Sequence, residues 1–245
     1  MGRQLRVIVA AVAAVMGTAL TTGASYAADS MPVVELFTSQ GCSSCPPADK
    51  LFESYAKRTD VVALSFAVDY WDYLGWKDTL ASPKYSERQR EYARGRGDGQ
   101  VYTPQMIING RDHAVGSNRA TIEAALAKSA SALKASPIGM TLTADGKGLD
   151  VESRSGAAGA PQPATIWIVS VAPKQLVRVT RGENSGRDLT YFNVVRDIVP
   201  IGTWAGTKAT LAIDRSKLPK GDGMRHAALV QAGKGGPLVA AAWLD

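Results

Sequence analysis

The sequence predicts an α/β domain over residues 28–136 followed by an all-β, sandwich-like domain over 137–245, behind a signal peptide at 1–27. Three observations predict it. The two cysteines of the chain lie in Gly41-Cys42-Ser43-Ser44-Cys45-Pro46-Pro47, between a short strand-like run and a helical one. A second strand-like run at 61–68 completes a βαβ pattern, whose parallel strands require a right-handed helical crossover. From Ile138 onward the texture changes to short alternating runs divided by turn residues, the pattern of a sandwich.

The signal peptide is read from Arg3 and Arg6, an apolar stretch at 7–20 and the small-x-small site Ser25-Tyr26-Ala27. That stretch is shorter than the ~20 apolar residues of a spanning helix, and no later segment is long and apolar enough to cross a bilayer. The expectation is a periplasmic or secreted protein without an integral membrane segment once the signal is cleaved. Cleavage takes the net charge from +6 to +4, which is mildly basic. The densest basic run, 88–96, also holds Glu91 and follows Glu87, so it reads as a solvated helical face with pairs Glu87/Arg90 and Glu91/Arg94. Nothing in it points to nucleic acid.

Residues 33–37 read as a buried strand that is apolar except for Glu35. Residues 48–57 read as a helix with Leu51, Phe52 and Tyr55 on its buried face, its regular part starting at Pro46 or Pro47 because proline fits a helix's first turn. Cys42 then sits in the turn ahead of that helix. The run at 61–68 is followed by Asp69-Tyr70-Trp71-Asp72-Tyr73-Leu74-Gly75-Trp76, an aromatic cluster at the carboxyl end of a strand, where open α/β sheets place ligands. It serves either as a lid on the core or as a wall for an extended peptide. Ser82-Pro83 opens a helix to about residue 93. Residues 106–108, Asn109-Gly110 and 111–115 read as a β-hairpin. Gly116-Ser117-Asn118 leads into a last helix with Ile122, Ala125, Leu126, Ala130 and Leu133 on one stripe. In the second half, runs at 138–144, 149–154, 164–171, 176–181, 189–198, 209–213, 226–231 and 237–243 read as strands. The polar stretch 181–187 reads as a long hairpin turn or a contact loop.

Two thiols three residues apart close too small a loop to remove much chain entropy, so their bridge is a poor staple and a good redox couple. Helix N-terminal N–H groups lower a thiol's pKa and make it nucleophilic, and a second cysteine one turn on can resolve the mixed disulfide. A metal-ligand reading needs further ligands, and the two histidines, His113 and His226, are remote in sequence from the cysteines.

The order strand, C-x-x-C, helix, strand, helix, Thr103-Pro104-led hairpin, helix resembles the thioredoxin-like arrangement over residues 31–135. More specifically, residues 34–49, 68–76, the stretch Tyr102-Thr103-Pro104-Gln105-Met106 and Arg181-Gly182-Glu183-Asn184 are similar to an exported bacterial family catalogued as domain of unknown function 1223. That family name carries no activity, so the chemistry implied comes from the thioredoxin-like resemblance. It implies a thioredoxin-like first domain, Cys42 as the attacking thiol, Cys45 as the resolving thiol and Pro104 as a cis-proline facing them. Thr103 then presents its backbone to an extended substrate, with Tyr102, Tyr70 and Trp71 beside it. The same resemblance makes Glu35 a proton relay to Cys45 and keeps metals off the dithiol. No aromatic precedes Cys42 and prolines follow Cys45, which departs from the thioredoxin pattern.

The expected function is an exported thiol-disulfide oxidoreductase without a cofactor. Its implied partners are exported protein thiols or disulfides and a redox partner at the inner membrane. Two alternatives stand: a dithiol site handling copper or zinc, and a non-catalytic binding or assembly module on the same scaffold.

Overall fold

A computed structural model describes residues 30–135, 138–143, 145–153 and 163–244. The signal peptide and the expected boundary at 136–137 lie outside the described residues. In chain order the elements are β1 (Val33–Thr38), α1 (Pro46–Ala56), β2 (Val62–Ala67), a 3-10 turn at Asp72–Leu74, α2 (Pro83–Arg96), β3 (Gln105–Ile108), β4 (Asp112–Val115) and α3 (Arg119–Lys134). The second half supplies β5 (Ile138–Leu142), β6 (Gly148–Ser153), β7 (Ala164–Arg178), β8 (Asp188–Trp204), β9 (Ala209–Ala212), β10 (Arg225–Ala232) and β11 (Leu238–Trp243).

These strands do not form a thioredoxin-like α/β domain followed by a β-sandwich. They form one eight-stranded mixed sheet in the order β11-β10-β7-β8-β2-β1-β3-β4, with β5, β6 and β9 in a separate three-stranded sheet. The junction is the edge of β2, which runs parallel to β8 through the Ser65–Val194 pair. Asn193 takes a left-handed conformation there (φ 48° at Asn109 is its only described non-glycine counterpart, against 44° here), and its Nδ2 donates to Ala63 O at 3.1 Å. Asparagine tolerates that region better than a branched residue, and its amide satisfies a carbonyl the short ladder leaves over.

The cores follow from strand alternation. Val33 and Phe37 of β1 and Leu64 and Phe66 of β2 face α2, and this core continues unbroken into Val169, Val195, Leu229 and Ala241 of the second half. On the opposite face, Val34 and Leu36 pack on Ala48, Phe52 and Tyr55 of α1 and Ile122 of α3. Farther along that face, Ile166, Ile168 and Val230 pack under the small sheet through Met140, Leu149 and Val151. One sheet face is therefore shared by both halves of the chain, while the other is covered by helices at one end and strands at the other.

The run at 164–171 and the first part of the run at 176–181 are a single long strand, β7, ending at Arg178, which pairs with β8 along nearly its whole length, with register shifts between Ile166 and Trp167 and between Ser170 and Val171. Pro173 lies inside it. A proline cannot donate to a ladder and so reads as a break in sequence, whereas a bulged, irregular strand accommodates it.

Candidate functional site

β1 ends at Thr38 and the chain turns through Ser39, Gln40 and Gly41 into a disulfide between Cys42 and Cys45, whose Cα atoms are 5.4 Å apart. Cys42 N donates to Ser39 O and Cys45 N to Cys42 O, each at 3.2 Å, so the cysteines sit on successive tight turns. Cys45 is the N-cap of α1, with Pro46 and Pro47 in the first turn, as proline's fixed φ and missing N–H favour. Cys42 keeps 3% of its surface exposed and Cys45 none. Ser43 and Ser44 are exposed between them.

Three groups hold this loop. Trp71 lies directly on Gly41, where a Cβ would stand a tight 3.2 Å from Trp71 Cβ and Trp71 O, so a larger residue would need Trp71 to give by a few tenths of an ångström. The same indole donates from Nε1 to Thr103 Oγ1 at 2.7 Å, tying the loop to Thr103 and the cis Thr103–Pro104 bond. Gly116 closes the other side, since a Cβ there would meet Ala48 Cβ at 3.0 Å and Pro104 Cβ at 3.1 Å. Pro104 therefore stands beside the first turn of α1. Tyr70 and Tyr102 join the same rim through Gln89: the Tyr70 hydroxyl donates to Gln89 Oε1 (3.1 Å) and Gln89 Nε2 donates to Tyr102 O (2.8 Å). Burial pushes the Tyr70 phenol up to about 12. Tyr73 is 76% exposed and stacks on Trp71, with ring centroids 6.3 Å apart.

The third group comes from the second half. The connection between β7 and β8 reaches back to the disulfide, and buried Asn184 donates from Nδ2 to both Gln40 O and Cys42 O at 2.9 Å. Glu183 Oε2 accepts the Ser43 N–H at 3.2 Å. The hairpin-turn and contact-loop readings of residues 181–187 are thus two descriptions of one segment. Gln40 anchors the opposite side: its N–H donates to Asp78 Oδ2 (2.7 Å) and its Oε1 accepts Trp76 Nε1 (2.8 Å).

Two buried acids, Asp49 and Asp78, lie near enough for the second to act on the first. Asp49 follows Cys45 by one helical turn and its N–H donates to Cys45 O (3.1 Å). Its Oδ1 accepts the Thr38 hydroxyl (2.7 Å), while its buried Oδ2 has no partner. Burial raises the Asp49 carboxyl to about 8; the Thr38 bond opposes that rise and nearby Asp78 adds to it. Asp78 is itself raised to about 6 by burial, against backbone N–H donors including Gln40 and Leu80. Tyr191, whose buried hydroxyl is also unpartnered, is pushed well above its ordinary value by burial and by both carboxyls. A cleft of about 200 Å³ between α1 and β8, lined by Pro46, Asp49, Glu53 and Thr190 among others, runs to Asp49.

Glu35 is not part of this cluster. Strand alternation puts it with Val33 and Phe37 on the α2 face, opposite α1, where its two oxygens accept Arg88 Nε (2.8 Å) and the Tyr92 hydroxyl (2.5 Å). The relay implied by the resemblance falls to the wrong side of the sheet. The basic run is corrected at the same point: Arg88 is buried against Glu35, Gln231 and Tyr92 rather than solvated. Glu87 pairs with both Arg90 and Arg94, and Glu91 with Lys234. His113 is engaged by the Tyr102 hydroxyl and Asp98, and His226 by Ser170 Oγ. Among the described residues no group of three or more His, Cys, Asp or Glu side chains is arranged to hold a metal ion.

Sequence reasoning missed Asp49, Asp78 and Asn184 as site residues. Asp49 was visible as a carboxylate at i+4 from Cys45 on the helix face carrying Phe52, and Asn184 lay in one of the stretches quoted for the family.

The model of the family described as "Protein of unknown function (DUF1223)" matches residues 33–231. The chain belongs to this family. Among solved structures, the DUF1223 chain is similar to the crystal structure of protein AGR_C_4864 from Agrobacterium tumefaciens at 35% identity, covering 89% of this chain and 95% of that one with a TM-score of 0.71. It also shares its fold with HBP35 of Porphyromonas gingivalis at 10% identity, covering 88% and 74% of the two chains with a TM-score of 0.58. No curated protein matches. No helix among the described residues is long and apolar enough to cross a membrane. That observation and the disulfide fit an exported protein, because oxidising compartments are where disulfides persist.

Proposed function

We propose that this DUF1223 protein is an exported thiol-disulfide oxidoreductase acting through Cys42 and Cys45, with no cofactor. The observation that carries the reading is the disulfide itself, closed across a turn whose Ser43 and Ser44 are exposed, with Cys42 at 3% exposure the less enclosed end and Cys45 at none the more enclosed, so Cys42 is the end an incoming sulfur meets first. A client thiolate attacks Cys42 Sγ, the Cys42–Cys45 bond breaks, and Cys45 leaves as a thiolate. A second client thiol then attacks the mixed disulfide and releases Cys42. The client loses two electrons and becomes a disulfide, while the protein becomes a dithiol; the reverse sequence reduces a client disulfide.

Asp49 fits the proton side of that exchange. A carboxyl held near 8 is protonated at neutral pH and lies close to an ordinary thiol pKa, which is the match that general acid–base transfer needs. It gives a proton to Cys45 as that sulfur leaves and takes one when Cys45 attacks, with the α1–β8 cleft as its route to bulk water. Thr103, Pro104, Tyr102, Tyr70 and Trp71 form the client-facing rim in this reading, and exposed Tyr73 extends it. Clients are exported protein thiols or disulfides, and a redox partner at the inner membrane renews the pair.

The test is a trap. With Cys45→Ala, Cys42 retains a client as a mixed disulfide that survives non-reducing electrophoresis and disappears on reduction. Recovery of exported proteins in such adducts supports oxidoreductase action. Absence of adducts, with binding partners still recovered through other surfaces, overturns it in favour of an assembly module.

A further inference from the structure

The loop between β7 and β8 carries a charged group onto the disulfide turn, and its place bears on which way electrons flow. A thiolate ahead of a helix is ordinarily stabilised by the free N–H groups of the first turn. Here those donors are scarce. Pro46 and Pro47 have no N–H. The Cys45 N–H is taken by Cys42 O, and the Ala48 and Asp49 N–H groups by Cys45 O at 2.9 and 3.1 Å. The Ser43 N–H, next to Cys42 in the chain, is taken by a carboxylate, Glu183 Oε2. The Ser44 hydroxyl, 3.4 Å from Cys42 Sγ, is a donor still directed at the sulfur.

We infer that Glu183, held over Ser43 by the Asn184 clamp, is a positioning and charge-setting residue that disfavours the Cys42 thiolate, slowing its attack at neutral pH and shifting the pair toward a reductant where that thiolate is populated. The inference rests on the oxidoreductase reading. Glu183 occupies the N–H of the residue that follows Cys42 and brings a negative charge to that turn. The other charged groups around the turn are Arg187, Asp49 and Asp78. Arg187 donates to Asn184 Oδ1 at 3.2 Å and keeps its positive charge, which offsets part of the Glu183 field, while the two acids add to the sign of Glu183 whenever they ionise. With its thiolate unsupported, the dithiol gives up two electrons and two protons to a client disulfide, which becomes two thiols. An upstream dithiol must then reduce the pair again.

The test follows Cys42 in the reduced protein. Alkylation by iodoacetamide as a function of pH reports its thiol pKa, since Cys45 is fully buried. The wild type should titrate at or above the ~8.5 of a free thiol. Glu183→Gln keeps an acceptor for Ser43 and removes only charge, so the pKa should fall by about half a unit and alkylation at pH 7 should quicken about threefold, as expected for an exposed charge. Glu183→Lys should move it about twice as far, and added salt should shrink both shifts. At pH 9, where thiolate is populated, Glu183→Gln should displace the glutathione equilibrium about twofold toward the dithiol, about 9 mV at ~30 mV per tenfold. At pH 7, where the thiol is neutral, the equilibrium should be unmoved. A wild-type pKa well below 8.5, or one that neither variant shifts, overturns the inference while leaving client trapping intact. A wild-type disulfide that no thiol reduces would instead sink the oxidoreductase reading itself.

Discussion

Replacing Asp49 with asparagine isolates the buried acid one helical turn after Cys45. A carboxyl whose pKa is about 8 in the folded protein and 3.8 in the unfolded chain is protonated when folded and ionised when unfolded over the window between those values. Protons are therefore bound on folding, and stability falls as pH rises from about 4 to about 8, by ~1.4 kcal/mol per unit. Below the lower value both states hold the proton and the group is silent. Above the upper value both are ionised and the loss is complete. Asparagine has no such equilibrium. It keeps an oxygen for the Thr38 hydroxyl and replaces an oxygen that has no partner, so it resembles the neutral acid.

The difference in unfolding free energy between Asp49→Asn and wild type should then grow from about 2 kcal/mol at pH 5 to about 4 kcal/mol at pH 7, the variant being the more stable. Asp78 titrates in both proteins and largely cancels. Urea unfolding of the oxidised proteins at several pH values between 4 and 9 measures the difference directly. Parallel curves for the two proteins would show that Asp49 ionises normally and would remove the acid-base role with it. If the curves diverge as expected, the same variant should slow reduction of the disulfide by dithiothreitol at pH 7, because Cys45 then leaves without a proton donor.

Two further perturbations separate structural from functional polar groups. Glu35→Gln leaves the buried Arg88 guanidinium without its carboxylate and should destabilise the fold by about 3–5 kcal/mol in urea unfolding; unchanged stability would show that Gln231 and Tyr92 suffice to hold the charge. Asn184→Ala strands the carbonyls of Gln40 and Cys42, at a cost of about 1–3 kcal/mol, and should move the Cys42 pKa as Glu183→Gln does, since Glu183 loses its anchor; a loss of stability with no change in that pKa would separate the clamp from the charge.

Local elements were legible in the sequence wherever a face is buried or a turn demands one residue. The short apolar runs at 33–37 and 61–68, Ser82-Pro83 before α2, Asn109-Gly110 in the β3–β4 hairpin and Asn118 before α3 each identify their element from side chains alone. Asn118 Oδ1 indeed accepts the Thr121 N–H at 3.2 Å. What alternation does not reveal is which edge a strand offers. Faces are written in hydrophobic period, whereas edges pair through backbone groups that every residue carries. The partner of β2 across its free edge was therefore hidden, and with it the continuity of the sheet.

The same limit explains the site. Cys42 and Cys45 stand out by their spacing, and Trp71 and Thr103 by their neighbours, but the side chains that complete the turn come from positions 183 and 184, across a sheet junction made by one residue pair and Asn193. That junction is what brings the tip of the β7–β8 hairpin over the disulfide. Val171 and Val195 share the core of Phe37 and Phe66, so the arms of the hairpin are held by the same packing that holds β1, and the turn at its end cannot drift from the loop that β1 delivers. Buried Asn184, bonded to two carbonyls of the disulfide loop, converts that packing into a fixed backbone around Cys42. The second half of the chain thus supplies a wall of the site through β8, and the chemistry assigned to two cysteines in one half depends on strand pairing in the other.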